Sequence, residues 1–273
     1  MSWLGKVIGG AFGFLMGGPL GAILGAAVGH HFDREFAESG QLGADFEPGA
    51  QHRVQMAFFS ATFSVMGHVA KSDGRVTEAE IDLARSVMNR MELSDALRRT
   101  AVRLFNEGKR ADFPLADVLS QFRRECQRRY SLIRMFVEIQ LEAALADGAL
   151  QAAEEYLLLH ICDQLRFSRF EFHAIKMALE AQMRVAGGPW RQDGRAARVR
   201  REEPALEDAY AALGVKPSTS DVEIKRAYRR MMSQHHPDKL VANGLPEEMM
   251  KLATEKAQQI RKAYEIVCKA RNI

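Results

Sequence analysis

Cysteine is scarce in this chain: Cys126, Cys162 and Cys268 are the three among 273 residues, far apart and without a CxxC pair. An odd number at such spacing excludes a disulfide framework and a zinc knuckle. Each cysteine falls in an apolar periodic stretch and reads as a small core residue. The soluble part of the chain is therefore suited to a reducing compartment. Aromatic residues are few, at 8%. No alternating apolar–polar run of any length appears, so the expected class is all-α. Excess charge is lacking as well, since 38 Lys and Arg against 35 Asp and Glu leave a net charge of +3. That balance does not mark a nucleic-acid binder, and no nucleic acid is expected as a partner.

From Val7 to Gly29 charge is missing altogether. As a helix this stretch would extend about 34 Å, enough to cross a hydrocarbon core of roughly 30 Å. Its many glycines would weaken a helix in water but are tolerated in lipid, where the backbone satisfies its own hydrogen bonds. Residues 1–30 are therefore expected to form a single transmembrane anchor. Gly9, Gly13, Gly17, Gly21, Gly25 and Gly29 recur every four residues. Small residues at that spacing let two helix backbones approach closely, so a homodimer interface is expected along Gly9, Gly13, Gly17, Gly21 and Gly25. Pro19 stands near mid-span, where it would kink the helix. The alternatives are a glycine-rich tail, or a cleaved signal peptide with Lys6 ahead and Gly25-Ala26-Ala27 at the cut. Flanking charge does not fix the orientation, because Lys6 lies on one side and Arg34 stands beside Asp33 and Glu35 on the other.

Residues 31–51, with Gly40, Gly43, Pro48 and Gly49, read as a connector. Residues 52–185 follow a helical pattern throughout. Met56, Phe59, Phe63 and Met66 recur at helical spacing, as do Leu132, Met135, Phe136, Ile139 and Ala143. Two stretches, VAKSDGRVTEAEI from Val69 and ALADGALQAAEEY from Ala144, share an Asp-Gly turn followed by an acidic helix start. That similarity suggests an internally duplicated helical bundle. It resembles the TerB-like family, whose members carry such acidic helix–turn–helix units and are linked to metal or ligand sensing. The residues themselves favour turns and caps, with Gly74 and Gly148 closing turns and Thr77 with Glu80 forming a capping box. Asp73, Glu80, Asp147 and Glu154 as cation ligands are the less favoured reading, because each loop gathers too few oxygens. Residues 186–204 form a polar linker in which Arg191, Arg195, Arg198, Arg200 and Arg201 could attract anionic membrane lipid.

Residues 205–273 carry the most specific signal. Leu206, Tyr210 and Leu213 set a short helix that Gly214 stops, and Pro217 turns the chain. Ser220 and Glu223 form a capping box for a second helix. Ile224, Ala227, Tyr228 and Met231 share one face of it, opposite Lys225, Arg226, Arg229 and Arg230. Pro237 ends that helix by forcing His236 out of helical geometry. A third helix opens around Pro246-Glu247-Glu248 and carries a stripe of Met249, Ala253, Ala257, Ile260, Tyr264 and Val267. A loop of about eight residues is expected between the two, giving an antiparallel hairpin.

This assembly, with His236-Pro237-Asp238 between YRRMMSQH and QQIRKAYEIV, resembles a J domain, the activating module of DnaJ-type co-chaperones. The resemblance covers a quarter of the chain. It implies that His236, Pro237 and Asp238 stimulate the ATPase of a DnaK-type chaperone, and that Lys225, Arg229 and Arg230 engage an acidic surface on that partner. Tyr210, Tyr228, Ile260 and Tyr264 would be core. The family's short fourth helix, its glycine/phenylalanine-rich segment and its zinc domain have no counterpart here. The whole arrangement resembles membrane-anchored bacterial members of that family, with the J domain cytoplasmic and the amino terminus across the inner membrane. A membrane sensor or scaffold, with the bundle binding a ligand or envelope protein, is the second reading. No catalytic residue, metal or cofactor is expected, and the chain does not read as an enzyme: Pro237 separates His236 rigidly from Asp238 and no nucleophile lies nearby. A metal site from His235, His236 and Asp238 is disfavoured.

Overall fold

The structure is a computed structural model and describes residues 18–23, 50–72, 74, 84–85, 87–89, 91, 93–127, 129–145, 150–185, 206–246 and 249–273. Among these residues there is helix and no strand, in agreement with the all-α expectation. The bundle contains α1 (Ala50–Ala70), α2 (Asp95–Gly108), α3 (Leu115–Glu125), α4 (Tyr130–Ala144), α5 (Ala152–Leu165) and α6 (Arg169–Val185). The carboxy-terminal unit contains α7 (Leu206–Ala212), α8 (Asp221–His235), α9 (Pro237–Ala242) and α10 (Met250–Arg271).

α1 is the axis of the bundle. Every residue from Ala57 to Gly67 is buried, as befits a helix that is apolar on all sides. Its few hydroxyls are satisfied within the helix: Ser60, Thr62 and Ser64 donate to the carbonyls of Met56, Phe58 and Ser60, each at 2.7 Å. The Phe122 ring packs on Phe136 at 4.7 Å and on Phe58 at 5.9 Å, which ties α3 to α4 and α1. Gln140 of α4 donates to the Thr62 carbonyl at 3.0 Å.

α1 and α2 meet backbone to backbone. A Cβ placed on Gly67 would lie 1.9 Å from the Phe105 carbonyl oxygen, and one on Gly108 would lie 1.7 Å from that of Ser64. Only glycine permits this approach. The His68 ring closes the same seam through Nδ1, 3.1 Å from the Gly108 carbonyl.

The turn reading holds where it can be seen. Gly74 adopts φ +91°, the left-handed geometry expected after Asp73. Glu154 accepts from the Gln151 backbone N–H at 2.9 Å as half of a capping box. Asp73, Glu80, Asp147, Gly148 and Thr77 lie outside the described residues. Among the described residues no group of three His, Cys, Asp or Glu side chains could hold a metal ion.

A helical stretch at 18–23 lies against the bundle. Leu20 is buried in the bundle core, and its N–H donates to Gln121 Oε1 at 2.7 Å. Among the described residues no helix is long and apolar enough to cross a membrane. Of the expected dimer glycines, Gly21 falls in this stretch and is half-buried, while Gly9, Gly13, Gly17 and Gly25 lie outside the described residues.

The carboxy-terminal unit has its own small core of Tyr210, Leu213, Ile224, Ile260, Ala263 and Val267. Tyr228 and Tyr264 stack across α8 and α10 with ring centroids 4.0 Å apart, half-buried rather than fully enclosed. Arg271 clasps the unit from its far end. Its guanidinium donates to Tyr210 Oη at 2.7 Å, Asp221 Oδ1 at 2.7 Å, the Thr219 carbonyl at 2.8 Å and the Pro217 carbonyl.

The unit does not stand apart from the bundle. Leu240, Leu245, Met249, Leu252 and Ala253 are continuous with the bundle core, and α7 packs along α6. The stripe of α10 is therefore divided. Met249 and Ala253 join the large core, whereas Ile260 and Val267 serve the small one.

Candidate functional site

The corner between α8 and α10 is built from a few local rules. Ser220 caps α8 and shares a capping box with Glu223, whose carboxylate accepts from Ser220 Oγ at 2.8 Å. The hydrogen bond from that hydroxyl holds Glu223 below the ordinary carboxylate range. At the other end His236 leaves helical geometry, with φ −65° and ψ 121°. The ring of Pro237 enforces this, as expected.

Pro237 does more than end α8. It occupies the first turn of α9, so the expected plain loop is a six-residue helix followed by a turn at Asn243 and Gly244. Proline lacks an N–H that a first turn leaves unbonded anyway, which suits it to start a helix as well as stop one. α10 runs from Met250 and is preceded by a turn in which the Met249 N–H donates to the Pro246 carbonyl at 2.9 Å. Glu247 and Glu248 lie outside the described residues.

Asp238 is exposed in the first turn of α9, where the helix dipole favours a carboxylate. Lys239 braces the corner by donating to Ser233 Oγ of α8 at 2.8 Å. Nδ1 of His236 is buried and has no hydrogen-bond partner among the described residues. Lys225, Arg226, Arg229 and Arg230 are all exposed along α8, opposite Ile224 and Ala227. The basic stripe is thus open to solvent and leads to the corner.

Beneath the corner lies a buried ion cluster that sequence reasoning did not find. Glu138 of α4 accepts from Arg134 Nε at 3.0 Å and lies 3.4 Å from Lys256 Nζ of α10. Lys256 also pairs with Glu142. His235 Nε2 stands 3.5 Å from Glu138 Oε1. Burial works against the Glu138 charge, but the cations beside it, Lys256 foremost, overcome it and keep the carboxyl below its ordinary value. Burial foremost holds His235 below its ordinary value, against the pull of Glu138 and with help from Lys256 and Arg134, so the imidazole is neutral here. At the rim Asn243 donates to Ser131 Oγ at 3.2 Å. The partners come from α4 and α10, more than 100 residues apart, so no local pattern signals them.

A short helix, an antiparallel pair and a His-Pro-Asp corner at the joint define a J domain. Three family models match in order: residues 1–52 as "Co-chaperone DjlA transmembrane domain", 59–177 as "Tellurite resistance protein TerB" and 208–272 as "DnaJ domain". The chain is 44% identical to "Co-chaperone protein DjlA" of Escherichia coli strain K12 over 276 residues, covering 98% of this chain and 97% of that relative. It is 44% identical to the Coxiella burnetii protein of the same name over 282 residues, covering both in full. With the Mannheimia succiniciproducens protein of that name, identity is 41% with 99% of each chain covered. No solved structure matches significantly. The chain belongs to the DjlA co-chaperone family. It is a J-domain co-chaperone with a TerB-type bundle and an amino-terminal domain of the transmembrane type.

Proposed function

We propose that this chain recruits a DnaK-type chaperone to the inner membrane surface and stimulates its ATP hydrolysis through His236, Pro237 and Asp238. The carrying observation is the corner itself. His236 is held extended by Pro237, Asp238 is exposed at the start of α9, and the stripe of Lys225, Arg229 and Arg230 is open beside them. An exposed basic stripe steers an acidic partner and orients the encounter, an effect that salt weakens. The corner then favours the chaperone conformation competent for hydrolysis, since only differential binding shifts a population. The chain itself is not an enzyme in this reading, and its residues make and break no bonds.

The amino-terminal domain anchors the protein in the membrane as a homodimer through Gly9, Gly13, Gly17, Gly21 and Gly25, which requires residues 18–23 to leave their place against the bundle. The amino terminus is periplasmic and the bundle and J domain are cytoplasmic, because the chaperone and its nucleotide are there. The test is single-turnover ATP hydrolysis by the chaperone, with the full chain in vesicles. His236→Gln is expected to abolish stimulation while leaving helicity unchanged. Stimulation preserved in that variant would refute the assignment.

A further inference from the structure

The tripeptide corner and the basic stripe are not equally available. His235, just before the tripeptide, is 4% exposed, and Leu240, two residues after it, is fully buried. The corner is therefore flanked by residues sunk toward the bundle, and within it His236 and Pro237 are half-buried, whereas Asp238 faces solvent as Lys225, Arg229 and Arg230 do. We propose that the bundle holds the J domain in a closed state, latched by the Glu138 cluster, in which the corner is withheld from the chaperone until the interface opens. The inference rests on the corner being the stimulating element.

Three further observations support a latch rather than a fixed seam. The interface holds ions beside its apolar residues: Glu138 and Glu142 of α4 lie against Arg134 and Lys256, with His235 next to them. Ions recover their hydration on separation, so such a contact opens more readily than an apolar one of equal area. Its rim is polar, with Asn243 on Ser131. The fit is close but local: a Cβ on Gly244, at φ +95°, would lie 2.8 Å from Val54 Cγ1 of α1.

The closed state separates encounter from action. A chaperone can be attracted by the exposed stripe and still fail to grip the corner from both sides. Whatever loosens α4 from α10 then raises the fraction of competent molecules, and the apparent affinity follows that fraction.

Two substitutions on the bundle side open the latch without touching the corner or the stripe. Ser131→Arg crowds Asn243, and Glu142→Lys repels Lys256. Hydrogen exchange of the full chain in detergent micelles reads docking without any chaperone. Both variants are expected to lose amide protection over residues 240–257 while α1 keeps its own. In vesicles, both are expected to raise stimulation at sub-saturating amounts by about fivefold, the low end of coupling between linked states. For the converse, Ser131→Cys with Asn243→Cys is joined by a reducible bismaleimide in a Cys268→Ser background. The linked chain is expected to stimulate several-fold less, and reduction of the linker to restore it. Unchanged protection in both opening variants, or full stimulation by the linked chain, overturns the latch. A wild-type chain silent at saturation overturns the proposed function instead, and leaves the exchange result to judge docking.

Discussion

Two contacts between α-helices in this molecule are made of different things, and only the first brings the helix backbones together. Where α1 meets α2, Gly67 and Gly108 let backbones touch, and the His68 ring closes the seam. Where α4 meets α10, Glu138, Glu142, Arg134 and Lys256 occupy the middle. The first contact lowers its free energy by excluding water from apolar surface and by dispersion, and it has no lower-cost alternative once separated. The second takes charges out of water and returns them on opening. The two contacts therefore differ in closeness as well as in the chemistry at their centre, and both differences set how readily each one opens.

The comparison is broken most severely at the glycine seam. Gly108→Ala forces the helices apart and is expected to cost about 3 kcal/mol, at the upper end for overpacking a core. Thermal unfolding of the bundle reads it, and an unchanged midpoint would contradict the backbone contact. At the ionic seam Lys256→Met is expected to weaken docking by about 2 kcal/mol, less than an uncompensated buried charge costs because Arg134 stays with Glu138. Amide exchange should rise over residues 240–257, while the bundle's unfolding midpoint holds. A parallel fall in both would mean that the two seams do not differ.

The smallest effect sharpens the contrast through pH. His235 faces Glu138, Arg134 and Glu142 from α4 and Lys256 from α10, and its docked value lies below the ordinary 6.5. The undocked imidazole takes up a proton first, so docking is at full strength above about 6.5 and weakens as pH falls through that value. The slope is at most about 1.4 kcal/mol per pH unit for one proton. Glu138, held below its ordinary 4.5, adds a loss of the same direction only in stronger acid. Exchange protection of 240–257 should drop between pH 7.5 and 5.5, and His235→Gln should flatten that drop.

Much of this was legible in the sequence, wherever the cause is local. The Ser220–Glu223 box, the break at His236 and the exposed stripe from Lys225 to Arg230 follow from spacing and from proline's geometry. Cys126 and Cys162 are buried, and loss of hydration pushes both thiols up to about 12, as suits inert core positions. Two kinds of feature were hidden. α9, with six residues, is too short to show a helical period, so Pro237 looked like an ending rather than also a beginning. The sharing of the α10 stripe was hidden too, because Met249 and Ile260 look alike on a helical wheel although they serve different cores. Periodicity says that a face is covered and not by what. Lys256 offered the one usable sign, a cation lying one position from the apolar stripe and beside Ala257, but its partner Glu142 is 114 residues away. Gly67 and Gly108, within or at the end of helices, were the corresponding sign for the α1–α2 seam.

The clasp of Arg271 has a mechanical consequence. One side chain, two residues from the final Ile273, is tied to the first helix of its unit and to the turn before the second. That first helix leans on α6. A force on the end of α10 would therefore be felt as a tug on α7 and, through α6, on the bundle.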